Sequence, residues 1–210
     1  MKRAIGVVAV VIVAMALGRL LTDHVSDESL NRPFVRHGKV GQTVALRYAD
    51  VKVAGVRVAT RIDGSDLAVA AGRFLIVDLV TRAQGEPRSY LGIELWDHQG
   101  RRYAPSSRGS ACSAVFRGLT GVPMYGMACF DIPKSALAGS RFRFSLGGYG
   151  VNGSGERRDD LAEVDLGISA AEARRLWAQD VTYRSYLAST KPGDRKPFIP
   201  QKPSWWDDLK

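Results

Sequence analysis

From about Phe34 to Ile168 the apolar residues of this chain come in short alternating runs separated by glycine, and no helical periodicity interrupts them. Side chains of a strand alternate between two faces, so such runs describe strands with one face buried. Arg141-Phe142-Arg143-Phe144 alternates cleanly, as do Ala162, Val164, Leu166 and Ile168, and Val44, Leu46 and Tyr48. Val51, Val53, Val56 and Val58 follow the same rule once Gly55 is read as a bulge. Phe74 to Val80 is apolar on both faces apart from Asp78, the pattern of a central strand. Tyr90 to Trp96 places Leu91, Ile93 and Leu95 on one face, and Asp97-His98-Gln99-Gly100 closes it as a turn. About seven to nine strands at this spacing predict an all-β antiparallel sandwich or barrel. With 45% apolar and 24% charged residues, the 210-residue chain is not disordered, collagen-like, a coiled coil or a polytopic membrane protein.

Lys2 and Arg3 precede an apolar run from Ala4 to Leu17 that includes Ile5, Val7, Val8, Val10, Val11, Ile12 and Val13. As a helix this run covers roughly 21 Å, and roughly 27 Å when continued to Leu21, against a hydrocarbon core near 30 Å. Residues 1–21 thus read as a signal anchor or a cleavable signal peptide. Ala14-Met15-Ala16 offers a cleavage site, while the continuation into Leu20-Leu21 favours the anchor. Lys2 and Arg3 hold the N-terminus in the cytoplasm, and Asp23, Asp27 and Glu28 follow beyond the run, so the remainder is expected outside. Residues 22–37 read as a linker and 38–168 as the sandwich.

Ser169-Ala170-Ala171-Glu172 is a capping box, and Ala173, Leu176, Trp177 and Val181 recur at helical spacing, which predicts a helix within 169–190. In 191–210, Pro192, Pro197, Pro200 and Pro203 exclude a regular helix and predict an extended tail. Phe198, Trp205 and Trp206 in that tail are candidate partner-binding anchors.

The two cysteines, Cys112 and Cys129, are expected to form a disulfide in an oxidising compartment. If Thr120-Gly121 is the tip of a two-residue hairpin, they face each other as a non-hydrogen-bonded pair, with Cα atoms about 4.5 Å apart.

Little else in the sequence carries chemistry. Gly148-Tyr149-Gly150-Val151-Asn152-Gly153 matches a dinucleotide-loop pattern, but a charged stretch and another strand follow it instead of a helix. Asp63-Gly64-Ser65-Asp66 reads as a turn, and His98 as a solvated turn residue beside Asp97. Ser106, Ser107, Ser110 and Ser113 form no nucleophile elbow. Neither a catalytic residue, a metal site nor a cofactor is expected. The net charge of +9 includes scattered Arg57, Arg61, Arg73, Arg101, Arg102, Arg108, Arg141 and Arg143. Outside the membrane such a surface addresses envelope polymers, lipid headgroups or acidic proteins rather than nucleic acid.

Three stretches carry a family resemblance: Gly72-Arg73-Phe74-Leu75-Ile76-Val77-Asp78-Leu79-Val80-Thr81, Glu94-Leu95-Trp96-Asp97-His98-Gln99-Gly100-Arg101-Arg102-Tyr103, and Gly126-Met127-Ala128-Cys129-Phe130-Asp131-Ile132-Pro133. In this order they resemble the strand, turn and strand motifs of the telokin-like, immunoglobulin-like bacterial domain of unknown function. They are also similar to those of a small secreted mycobacterial antigen of immunoglobulin-like fold. The resemblance covers roughly 38–168 and implies an immunoglobulin-like β-sandwich exported behind a signal or anchor, with no catalytic residues to carry over. The cysteine pair, the helix and the tail depart from it. The functional expectation is a membrane-tethered extracytoplasmic module that binds a protein partner or assembles an envelope complex. The alternative is a secreted binder of an anionic ligand or surface polymer.

Overall fold

The computed structural model describes residues 12–19, 33–64, 66–108, 112, 115–147 and 159–184. Phe34 opens the compact β unit. Its strands are β1 (Phe34–Lys39), β2 (Thr43–Ala45), β3 (Ala49–Asp63), β4 (Leu67–Ala83), β5 (Arg88–Tyr90), β6 (Gly92–Trp96), β7 (Arg102–Tyr103), β8 (Phe116–Gly118), β9 (Met124–Ile132), β10 (Arg141–Ser145), β11 (Asp160–Asp165) and β12 (Thr182–Arg184), with helix α1 (Ala170–Ala178) before the last. One sheet has the order β1-β11-β10-β6-β7; the other is β12-β3-β4-β9 with β2 also on β3, and β5-β8 form a third, two-stranded piece.

The two larger sheets face each other over one core. Phe142 and Phe144 of β10 and Ala162 and Val164 of β11 are fully buried against Leu75, Val77 and Leu79 of β4 and Phe130 of β9. Rings meet across the gap: Phe130 lies edge-on to Phe142 at 6.2 Å, and Tyr90 lies 4.9 Å from Phe144. Each large apolar side chain removed from water here contributes about 1.5–3 kcal/mol. The other face of β4 explains its doubly apolar sequence. Phe74 and Ile76 join Ala59, Ile62, Ala68, Met127 and Cys129 in a second, smaller cluster, which Cys112 and Tyr183 partly cover. The bulge at Gly55 is present as a register shift between Val53 and Gly55.

Several expectations need correction. The sandwich is not purely antiparallel, since β1 pairs parallel with β11 and β12 parallel with β3. Phe34 to His37 belong to β1 rather than to the linker. That strand is an edge exposed along nearly its whole length, so burial imposes no alternation on it. Leu91 is 55% exposed because the chain changes sheet there: β5 leaves to pair with β8 before β6 joins β10. Helix α1 stops at Ala178, and extended backbone at Gln179 leads into β12, which leaves Val181 exposed. Ser169 caps the helix by accepting from the Glu172 amide at 3.2 Å, but the Glu172 carboxylate pairs with Arg175 instead of reaching back.

Residues 12–19 are helical, with Ile12, Val13 and Leu17 exposed. Ala4, Ile5, Val7, Val8, Val10 and Val11 lie outside the described residues. Among the described residues no helix is long and apolar enough to cross a membrane.

Candidate binding face

The outer face of the five-stranded sheet is an ordered lattice of charges around a tryptophan. The ladders place His37, Glu163, Arg143 and Glu94 in one row across β1, β11, β10 and β6. Lys39, Asp165, Arg141, Trp96 and Arg102 form the next. Opposite charges in adjacent positions of such rows attract, whereas like charges would repel. Glu163, 6% exposed, accepts from Arg143 Nε at 2.7 Å and Arg141 Nη1 at 3.0 Å, with His37 Nδ1 3.7 Å away. The Arg143 guanidinium lies 3.8 Å over the Trp96 ring, and Trp96 Nε1 donates to Glu94 Oε2 at 2.8 Å. Arg102 lies 3.8 Å from the same Glu94 carboxylate. Trp96 and Arg143 are therefore held in one arrangement before anything binds.

Burial works to raise the pKa of Glu163. The hydrogen bond from Arg143, with the charges of Arg143, Arg141 and His37, outweighs it and holds the carboxyl below the usual carboxylate range. A carboxyl held low in the folded state stabilises the fold above its unfolded pKa and loses that contribution as pH falls through its folded pKa. Glu163→Gln is thus expected to be less stable than wild type at pH 7, with the difference shrinking below about pH 4. Thermal melts of both proteins between pH 7 and pH 3 measure this; parallel pH profiles would contradict it.

On the outer face of the other sheet, the buried Asp78 carboxylate accepts from Arg57 and, at 2.8 Å, from the Tyr125 hydroxyl. Burial, reinforced by Asp78, pushes the Tyr125 hydroxyl pKa up. Arg57 also stacks 4.2 Å over the ring of Tyr183 from β12. Beside this group the Cys112–Cys129 disulfide is formed, with Cα atoms 5.5 Å apart. The two-residue turn at Thr120-Gly121 is as expected, with Leu119 bridged to Val122 and Gly121 at φ +70°. The ladder drawn from it is not. The strand before the turn, β8, pairs with β5, and the ladder neighbour of Cys129 is Ile76. The bridge therefore fastens Cys112, which is outside any strand, onto β9, where the Ser106 amide also bonds the Cys129 carbonyl at 2.7 Å.

The eight arginines read as a basic surface are taken up internally. Arg57, Arg61, Arg101, Arg102, Arg108, Arg141 and Arg143 each pair with a carboxylate, and Arg73 lies 5.2 Å over Trp177. The sequence reading missed Glu163, Glu94 and Trp96 as their partners, because cross-strand register brings these residues together. His98 is exposed, whereas its neighbour Asp97 is fully buried and accepts from the Gln99 and Arg101 amides, Arg101 Nε and the Tyr103 hydroxyl. Among the described residues, no group of three or more His, Cys, Asp or Glu is placed to hold a metal ion. Phe198, Trp205, Trp206 and the Gly148 to Gly153 stretch lie outside the described residues.

These features define a disulfide-bonded β-sandwich with an ordered charge-and-tryptophan face. No protein-family description matches the chain, and no curated protein matches it. Among solved structures, it is similar to the yjhA protein of Bacillus subtilis at 17% identity and TM-score 0.44, over 61% of this chain and 99% of that one. It is also similar to an uncharacterized β-sandwich protein of Clostridium difficile at 8% identity and TM-score 0.33, over 63% of this chain and 95% of that one. The sandwich assignment rests on the strand ladders of this chain itself.

Proposed function

We propose that this chain is an extracytoplasmic, immunoglobulin-like β-sandwich, tethered to the cell membrane by its N-terminal segment, that binds another envelope protein through the outer face of its five-stranded sheet. The observation that carries this reading is Arg143 stacked on Trp96 while its guanidinium is paired with Glu163. Tryptophan and arginine are the residues most enriched at the energetic centres of protein interfaces, and side chains already immobilised lose little entropy on docking. The disulfide supports the compartment, as do Lys2 and Arg3 ahead of the apolar run. The motif resemblance to the telokin-like domain supports the same class. The alternative, an anionic-polymer binder, draws less support because its arginines already face carboxylates of the same chain.

The test is recovery of the partner by the full chain from its own membranes. Trp96→Ala or Arg143→Ala should lower recovery at least about tenfold, the size of a hot-spot loss. Recovery by wild type should persist in high salt. A parallel arm replaces Phe198, Trp205 and Trp206. Unchanged recovery with both face variants would sink the reading, and recovery of anionic polymer that vanishes with salt would favour the alternative.

A further inference from the structure

One end of the sandwich collects exposed apolar side chains around the point where the chain enters it. Phe34, Leu91, Leu119 and Val122 are 67%, 55%, 46% and 48% exposed. Their backbones are tied into one platform. The Phe34 amide donates to the Asp159 carbonyl at 3.2 Å, and the Asp160 carbonyl accepts from the Tyr48 hydroxyl at 2.8 Å. The Tyr48 carbonyl accepts from the Gln84 amide at 2.9 Å, and next to it the Ala83 amide reaches the Leu119 carbonyl at 3.3 Å. The Leu91 amide donates to the Leu146 carbonyl at 3.2 Å, and the rings of Tyr48 and Tyr90 lie 6.0 Å apart. Arg88 and Arg117 are exposed on the β5-β8 pair between the two groups of apolar residues; Arg88 lies 3.8 Å from Glu86.

We propose that this end of the sandwich rests on the lipid surface, with Leu119 and Val122 at the turn and Leu91 and Phe34 beside them entering the interfacial layer. The inference builds on the tether reading above. Residues 22–33 are the only chain between the apolar run and Phe34, and twelve residues span at most roughly 40 Å. The tether thus joins the sandwich at this end, while Leu67 and Val69 lie at the other end of the β3-β4 ladder. Exposed leucine and valine side chains beside arginines suit the boundary between headgroups and acyl chains. A tight turn carrying two of them costs no buried contact when it inserts.

The experiment reconstitutes the full chain into phosphatidylethanolamine/phosphatidylglycerol vesicles that carry a photoactivatable acyl chain, and maps the adducts by mass spectrometry. Adducts are expected on peptides covering 88–91 and 116–122. They should fall about fivefold or more in Leu119→Asp/Val122→Asp and stay unchanged in Leu67→Ser at the far end. Equal labelling at both ends, no labelling beyond residue 33, or contacts from 119–122 to an envelope protein instead of lipid would each overturn the proposal. An alkaline carbonate wash separates the two readings. A chain that resists the wash but shows no adducts at 116–122 keeps its tether and lacks the docking. A chain that the wash extracts lacks the tether, and adducts at 116–122 then show docking by themselves while their absence overturns it.

Discussion

Replacing Phe142 by alanine is expected to lower the unfolding free energy by about 3–5 kcal/mol, the range for deleting a buried phenyl ring. Phe142 is fully buried, and its strand lies between β11 and β6, where it is paired with Val164 on one side and Leu95 on the other. Its ring stands edge-on to Phe130 of the facing sheet, so the truncation removes both transfer free energy and an aromatic contact between the layers. Backbone hydrogen-bonded on both sides cannot collapse into the cavity, which places the cost toward the upper end. In a domain of this size each kcal/mol shifts Tm by about 2–4 °C, so Tm should fall by roughly 6–20 °C. Thermal unfolding followed by circular dichroism measures it, with Phe142→Leu expected between the two. A fall of less than about 2 °C would show that the two layers are not packed on this ring.

Removing the disulfide is the second large effect. Cys112 and Cys129 are separated by 17 positions, and closing a loop of that size stabilises by about 3 kcal/mol in the chain-entropy view. Cys129 lies on the floor of the second cluster at 1% exposure, while Cys112 itself lies outside the ladders. Alanine at both positions keeps the floor apolar, so the change isolates the covalent link. Tm of Cys112→Ala/Cys129→Ala should fall by roughly 6–12 °C. Reductant should lower the wild-type Tm to about the same value and leave the variant untouched. Identical wild-type melts with and without reductant, once the reduced sample is shown to carry two thiols, would refute the assignment.

The parts of the fold legible in the sequence are those whose signal is local. Phe142 and Phe144, and Val164 and Leu166, announce their faces through a period of two, whereas the run from Phe74 to Val80 announces a central strand by being apolar on both faces, and burial follows both patterns. Strand β1 announces nothing, because its residues lie on an exposed edge and its partner is far along the chain. The exit of β5 toward β8 was equally hidden: Leu91 continues the alternation of Ile93 and Leu95 in the text but not in space. Gly92 passes unremarked inside the run from Tyr90 to Trp96, yet a Cβ there would stand 1.8 Å from Ser145 Oγ and 2.2 Å from the Gly147 carbonyl oxygen. Only hydrogen fits against that carbonyl. The candidate face shows the same division. Its arginines were visible as residues, but Glu163 is twenty positions from Arg143, and only the ladder register makes them neighbours.

The parallel pairing of β1 with β11 also sets an order of assembly. Among the described residues the first strand has one ladder partner, and that partner lies roughly 125 residues downstream, the kind of distant contact that slows folding. The β3-β4 ladder can close as soon as its turn has been made, and β9 can be added soon after. Strand β1 must wait for β11, which at about 5–20 residues per second is a delay of roughly 6–25 s during synthesis. Throughout that interval Phe34 and Val35 sit on an unzipped segment at the head of a half-built sandwich. Of the described ladders, β1 with β11 joins the residues farthest apart along the chain, so β1 is the strand of this fold that waits longest for its partner.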